Sequence, residues 1–412
     1  MVGEESNPEE ATERRGPFSV LEFESSNMTI SEMLAEALHA VRLHLDMDVA
    51  FIGEFREGQR IFRYVDGRAS PLPIAENTGS PLDETYCQRV VDGRLPELIP
   101  DTGQLPASAF PQTPGVVVGA HLGVPIHFSD GSLFGTFCCF SSQPDNTLNV
   151  RDLHTLRLFA GFAGKLLQRQ TSRARVQRSK LARIEETLRS RAYHVVYQPI
   201  VQVEGGTALG YEALARFSGE PLRSPDRWFL EAGEVGLQRE LEIALIVEAL
   251  KGLGQLPGDS YISLNVSPET IIGGQLRPVL EEQPLARLML EITEHACICD
   301  YERVEDELRP LRERGLRLAV DDAGAGYASF RHILRLRPDV IKLDGSLINN
   351  LDGDSNCRAL AAALIRFAAE TGSKVVAEGV ETEEELAVLR ALGVKKAQGY
   401  LLGRPAPLGA AS

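Results

Sequence analysis

Apolar residues at Ile30, Met33, Leu34, Ala37, Leu38, Val41 and Leu45 recur three or four positions apart, the spacing of one helical face. Strand-like runs follow at 49–55, 60–67, 119–128 and 132–142, and the last two flank Ser129-Asp130-Gly131, a hairpin signal. A second amphipathic helix begins near Val150. The order of helix, strands, mixed middle, hairpin and helix predicts an α+β domain over 28–168, an antiparallel sheet backed by helices. Ahead of it, residues 1–27 are rich in Glu, Ser, Pro and Arg with few apolar positions, and predict a disordered leader.

Basic residues then dominate from Arg151 to Arg191, and no proline interrupts them. Leu167, Ala174, Leu181 and Leu188 fall seven apart, so the segment 169–191 predicts a linker helix. Both a solvated linker and a parallel dimer helix suit it. From Ala192 to the end, β-rich runs alternate with helical stretches. The runs are 194–200, 209–214, 261–266, 288–293, 316–322, 340–344, 374–380 and 395–400. Repeated β-α units over 192–412 predict an α/β fold, most simply a (β/α)₈ barrel. A doubly wound open sheet is the alternative. No G-x-G-x-x-G or P-loop follows any of these runs, so a nucleotide-binding sheet lacks its usual signature.

Composition narrows the partners. Of 412 residues, 43% are apolar and 25% charged, ordinary values for a globular chain of two or three domains. Asp and Glu outnumber Lys and Arg by 58 to 43, a net charge of −15. That argues against a broad surface for a nucleic acid polymer or an anionic membrane. Six cysteines show no disulfide framework, and a cytoplasmic protein is expected. The acidic start lacks the basic, apolar pattern of a signal peptide, and no apolar run approaches a membrane span.

The ends of the C-terminal runs carry a chemical bias: Glu212, Asn265, Glu291, Asp321 with Asp322, Lys342, Glu378 and Gln398. Most lie about one β-α unit apart. A parallel barrel gathers the C-termini of its strands on one face, so these residues are expected to converge. Five carboxylates facing one another cannot all stay ionised without cations. Oxygen ligands without clustered His or Cys select hard divalent ions, Mg²⁺ or Mn²⁺. The adjacent Asp321 and Asp322 suit a bridged pair of metals, which favours attack of water on a phosphodiester. Lys342 would orient that water or neutralise phosphate charge. The plainer alternative for Lys342 is a barrel-floor salt bridge to Asp322.

Glu212-Ala213-Leu214, followed by Ala215-Arg216, resembles the signature of EAL-domain cyclic di-GMP phosphodiesterases. The resemblance covers roughly 192–410. It takes in Tyr197-Gln198-Pro199-Ile200, Leu264-Asn265-Val266-Ser267, Glu291-Ile292-Thr293-Glu294, Asp321-Asp322, Lys342-Leu343-Asp344, Ala377-Glu378-Gly379-Val380-Glu381 and Gln398-Gly399-Tyr400. It implies a TIM-like barrel with one antiparallel strand, and cleavage of one phosphodiester of cyclic di-GMP to linear pGpG with two metals per active site. By position, Glu212, Asn265, Glu291, Asp321, Asp322 and Glu378 resemble the metal shell, and Gln398 the residue supporting a water on the metal. Lys342 resembles the lysine that holds the nucleophilic water. Glu378 resembles a glutamate read both as general base and as ligand; the ligand role is preferred. Gln198, Leu214 and Arg216 resemble substrate contacts, the arginine to phosphate. Glu294 resembles the anchor of the loop after Asp322, which is implicated in forming a homodimer.

That loop departs from the family pattern: Ala323, Ala325 and Ala328 replace an aromatic, a threonine and a serine. The segment 28–168 resembles a GAF domain through Gly123-Val124-Pro125-Ile126, Asp130-Gly131-Ser132-Leu133 and Gly135-Thr136-Phe137-Cys138. This implies a sensor for a small molecule or other signal, unidentified here, that regulates the barrel. Cys87 reads as a buried structural thiol in preference to a chromophore or redox cysteine. His121 and His127 would share a strand face if Pro125 introduces no bulge, as candidate haem ligands. The alternative function is a non-catalytic cyclic di-GMP receptor, which would have lost metal residues that this chain keeps. A scaffold acting through the linker is a third.

Overall fold

The computed structural model describes residues 28–67, 74–106, 117–293, 298–324 and 328–409, without the side chains of 328 and 329. The leader at 1–27, Glu294 and the loop residues 325–327 lie outside the described residues. The described residues divide into two compact units, with the boundary between Val176 and Gln177.

In the first unit, α1 (Ile30–His44) starts at Thr29, whose hydroxyl and backbone exchange hydrogen bonds with Glu32 in a capping box. Six strands follow: β1 (Val49–Arg56), β2 (Gln59–Gly67), β3 (Gly79–Pro81), β4 (Leu98–Ile99), β5 (Ala120–His127) and β6 (Leu133–Ser141). Between β3 and β4 lies the short α2 (Tyr86–Val91). The sheet order is β3-β2-β1-β6-β5-β4, antiparallel throughout. Alternation along the strands splits the apolar residues between two faces. Ala50, Ile52, Leu122, Val124 and Phe137 pack against Leu34, Leu38 and Val41 of α1 and against Leu156, Ala160 and Ala163 of α3 (Val150–Ser190). Val49, Phe51, Phe62, Cys87, Cys138 and Phe140 form a second cluster on the opposite face. The helix expected from Val150 and the linker helix expected at 169–191 are one helix of 41 residues.

His121 and His127 do not share an environment. The β5–β6 register shifts between Ile126 and His127, leaving His127 exposed and His121 buried. Desolvation, and then the charge of Arg60, hold the His121 imidazole down at about 4 from an ordinary 6.5. The unfolded chain therefore takes up a proton that the folded chain refuses, and stability falls as pH drops through that window. The loss approaches about 3 kcal/mol once pH is below it. The unfolding midpoint of the full chain should accordingly fall more steeply between pH 6.5 and 4 than that of His121→Phe. Parallel profiles would refute this.

The second unit is a closed eight-stranded barrel: β7 (Tyr193–Gln202), β8 (Ala208–Phe217), β9 (Tyr261–Asn265), β10 (Leu288–Thr293), β11 (Arg317–Ala323), β12 (Val340–Leu343), β13 (Lys374–Ala377) and β14 (Lys396–Ala397). β7 runs antiparallel to both of its neighbours, β14 and β8, and the other pairings are parallel. The barrel is thus the TIM-like form, closed by a hairpin where a uniform (β/α)₈ barrel has a crossover. Its interior is layered. Ile200, Tyr261, Met289, Ala319, Val340 and Val376, one from each of six strands, form an apolar floor. Among the described residues, no helix is long and apolar enough to cross a membrane.

Candidate active site

With a strand period of two, the residue two positions above each floor residue points into the same interior. On β10, β11 and β12 those residues are Glu291, Asp321 and Lys342, and just past β13 comes Glu378. On the reversed β7 the equivalent residue precedes Ile200 and is Gln198. Glu212 stands two beyond Gly210, and Gln398 two beyond Lys396. A polar layer therefore lies directly on the apolar floor. The next layer up holds Leu214, Asn265 and Thr293, then Arg216.

Asp321 and Asp322 are neighbours, so a regular strand would send one of them out of the barrel. The β11–β12 register shifts between Val320 and Ala323, and Asp322 has φ 55°, left-handed for a non-glycine residue. This bulge turns both carboxylates inward. Asp321 belongs to two groups whose oxygens lie within 4.8 Å of one another: Glu212, Glu291 and Asp321, and Asp321, Asp322 and Glu378. Ala323 is buried beside Leu343 and Leu347 in the layer outside the barrel. Gly324 follows at φ 115°, where an added Cβ would meet Leu347 at 3.3 Å.

Lys342 is fully buried at the centre of the cluster. Its Nζ lies 2.6 Å from Glu378, 2.8 Å from Glu291, 3.1 Å from Asp321 and 3.6 Å from Glu212. The alternative for Lys342, a barrel-floor salt bridge to Asp322, is replaced by ion pairs with four other carboxylates in the layer above the floor. Burial works against the ammonium, but Asp321, Glu212, Glu291 and Glu378 together hold its pKa well above the ordinary lysine value. Burial, reinforced by neighbouring carboxylates, pushes Glu291 and Glu378 up. Burial opposes the charge of Glu212 too, but Lys342 and the amides of Gln398 and Asn265 outweigh it and hold that carboxyl below its usual value. One ammonium does not neutralise five carboxylates, and the surplus charge is what a cation would relieve.

The amides complete the donor set. Asn265 Nδ2 donates to Glu212 at 3.0 Å, and Gln398 Nε2 to Glu212 at 2.7 Å and to Gln198 Oε1 at 3.0 Å. Gln398 Oε1 is buried with no hydrogen-bond partner. An orphaned buried carbonyl beside an excess of carboxylates, with oxygen donors throughout, fits hard divalent cations. Gly399 keeps Gln398 in place, since a Cβ there would come 2.1 Å from the Val380 carbonyl.

Beside the cluster lies a cleft of 480 Å³ lined by Gln198, Leu214, Arg216, Asn265, Thr293 and Tyr400, among others. Gln198 donates to the Gly403 carbonyl at 3.1 Å, and Arg216 gives one N–H to Ala215 O at 2.8 Å. Three contributors were given no role by the sequence reading. Ser263 donates to Glu291 from inside the barrel. Glu242 lines the cleft and accepts from the Ser267 backbone at 2.9 Å. Tyr400 is half-exposed, with the Arg404 guanidinium 4.2 Å above its ring. Ser263 was legible as the inward residue between Tyr261 and Asn265; the other two carry no periodic signal.

Compared with known proteins, residues 181–405 match the family model of the EAL domain and residues 27–168 that of a GAF domain. The chain is 31% identical over 239 residues to cyclic di-GMP phosphodiesterase PdeF of Escherichia coli K12, covering 55% of this chain and 32% of that one. It is 32% identical over 261 residues to cyclic di-GMP phosphodiesterase NbdA of Pseudomonas aeruginosa, covering 60% of this chain and 33% of that one. It spans about a third of the length of these curated relatives. Among solved structures, the PaMucR phosphodiesterase in complex with c-di-GMP is similar with a TM-score of 0.51 at 30% identity, covering 56% of this chain and 98% of that one.

Proposed function

Because the chain belongs to the EAL-domain family, we propose that it hydrolyses cyclic di-GMP, opening one phosphodiester to give linear 5′-pGpG, with two Mg²⁺ or Mn²⁺ ions per active site. The observation that carries this reading is the buried polar layer in which Glu212, Glu291, Asp321 and Glu378 converge on Lys342. It adjoins a cleft with the room and the arginine that a phosphodiester needs.

Glu212, Asn265, Glu291, Asp321, Asp322, Glu378 and Gln398 are the residues that would hold the metals. Bound there, hard cations supply Lewis acidity, drawing charge from phosphate and acidifying water. Lys342 orients the attacking water through its N–H groups and offsets charge that gathers on the phosphate. Glu378 would serve as a ligand, and it fixes the Lys342 ammonium from 2.6 Å. Arg216 turns its remaining donors to a phosphate oxygen. Leu214 gives the substrate an apolar wall, and Gln198, held by Gly403 and Gln398, gives a rigid polar one. The GAF unit regulates the barrel in response to a small molecule or other signal, in a cytoplasmic homodimer.

The test is incubation of the purified full chain with cyclic di-GMP and Mg²⁺ or Mn²⁺, with products separated and weighed. Formation of pGpG, lost on chelation, is expected. Tight binding without pGpG under either metal would overturn the reading and leave a receptor. Calcium should inhibit against Mn²⁺, because it prefers longer bonds and looser geometry. Equal turnover with Ca²⁺ would reject a tight paired-metal site.

A further inference from the structure

The first unit holds a pair of thiols that the barrel's chemistry does not use. Cys87 of α2 and Cys138 of β6 are fully buried with their sulfurs 3.7 Å apart. Cys138 and Cys139 are adjacent, yet strand alternation sends them to opposite faces. Cys139 packs with Leu34 and Leu38 on the helix-backed face, and Cys138 with Cys87, Phe51 and Phe62 on the other. Fold geometry therefore pairs Cys138 with a residue 51 positions away, not with its neighbour.

Arg60 distinguishes this pair from two inert core thiols. The arginine is 9% exposed, with its guanidinium 4.0 Å over the Phe62 ring. Its nitrogens reach Ser80 Oγ at 2.8 Å and Cys87 Sγ at 3.7 Å, and Nε has no partner. Among the described residues, no carboxylate forms an ion pair with it. A buried cation without a counter-charge is costly, and the anion within its reach is a Cys87 thiolate. The hydrogen bond from Cys138, and then Arg60, draw the Cys87 thiol down against the opposing effect of burial. Burial, and then Cys87, push the Cys138 thiol up. Both ring nitrogens of His121 are buried and without a hydrogen-bond partner. That ring and Cys138 Sγ crowd the same side of Gly123, where a Cβ would meet them at 2.7 and 3.0 Å.

We propose that Cys87 and Cys138 are an oxidisable dithiol that reacts with a peroxide and closes to a reversible disulfide within the first unit. In the first step the Cys87 thiolate attacks one oxygen of hydrogen peroxide and the O–O bond breaks. Cys87 becomes a sulfenic acid, and the departing hydroxide takes up the proton that Cys87 had released, forming water. In the second step the Cys138 sulfur attacks the Cys87 sulfur. The S–O bond breaks, and the oxygen leaves as a second water carrying the Cys138 proton. Two thiols are oxidised and one peroxide is reduced to two waters. Full burial selects a small oxidant over a bulky disulfide, and the two unpartnered imidazole nitrogens offer it hydrogen bonds. The inference stands apart from the reading of the barrel.

The experiment titrates the purified full chain with hydrogen peroxide and follows intact mass and non-reduced peptide maps. One equivalent should remove two hydrogen atoms and link the peptides that contain Cys87 and Cys138, and dithiothreitol should reverse both changes. Oxidised glutathione should react far more slowly. Cys138→Ala should accumulate a sulfenic acid at Cys87 that dimedone tags, and Cys87→Ala should give neither product. Arg60→Met should slow oxidation about tenfold. Oxidation confined to Cys299 or Cys357, with Cys87 and Cys138 recovered as thiols, would overturn the proposal. The mapping on the unmodified chain requires no variant to fold.

Discussion

With Lys342 replaced by alanine, the chain still binds metal and cyclic di-GMP, but turnover falls about 10²–10³-fold, the order seen when one preorganised stabiliser of developing charge is removed. The ammonium is fully buried and lies 2.6–3.6 Å from four carboxylates, and among the described residues no other cation forms an ion pair with them. Without metal, the substitution leaves those carboxylates uncompensated. Breaking a buried pair in this way costs about 3–5 kcal/mol. Metal should restore much of that loss, because it supplies the missing charge. Lys342→Ala should therefore show a depressed unfolding midpoint in chelator and an enlarged rise with Mn²⁺. Single-turnover kinetics with Mn²⁺ and a binding isotherm separate the lost chemistry from retained binding. Unchanged turnover would reject the assigned role.

Glu212→Ala should abolish turnover by the opposite route, through loss of metal. Glu212 accepts hydrogen bonds from Asn265 at 3.0 Å and Gln398 at 2.7 Å, so its removal also releases two amides that complete the donor set. The buried Gln398 donor, left unpaired, costs about 1–3 kcal/mol, whereas the exposed Asn265 amide turns to water. Against that, removing one of five crowded carboxylates relieves repulsion around Lys342. The metal-free variant should thus be less destabilised than Lys342→Ala, with little stabilisation by Mn²⁺. Metal content by mass spectrometry and the Mn²⁺-induced shift in unfolding midpoint check this. A normal metal load in Glu212→Ala would remove it from the ligand set. The two variants are expected to diverge in metal response while both are inactive, which distinguishes a ligand from the cation it surrounds.

The barrel was legible because each strand announces itself. The runs expected at 261–266, 288–293 and 340–344 end within a residue of β9, β10 and β12. β3 and β4 were not legible, since Gly79–Pro81 and Leu98–Ile99 are too short to show alternation and are held by their neighbours' hydrogen bonds. The continuity of α3 was only half legible. The apolar face that anchors it to the sheet gives way to a basic stretch, yet no proline or glycine breaks the helix there. Glu242 escaped notice, and Tyr400 was quoted in a motif without a role, because a single polar residue or aromatic has no period to betray its place.

The sequence by itself determined which chemistry is available: oxygen ligands, two amides and one lysine at strand ends about one β-α unit apart. It could do so because parallel strands deliver their C-terminal residues to one face whatever the packing details. Tertiary structure alone decided which of these groups touch. The bulge at Asp322 turns two adjacent carboxylates the same way, and barrel closure puts Lys342 among four acids instead of beside one. It likewise placed Cys87 against Cys138 and, among the described residues, gave Arg60 no carboxylate as an ion-pair partner. Coulomb and hydrogen-bond energies depend on distances of a few ångströms, and distances between residues far apart in the chain exist only once the sheet has closed and the helices have settled on it.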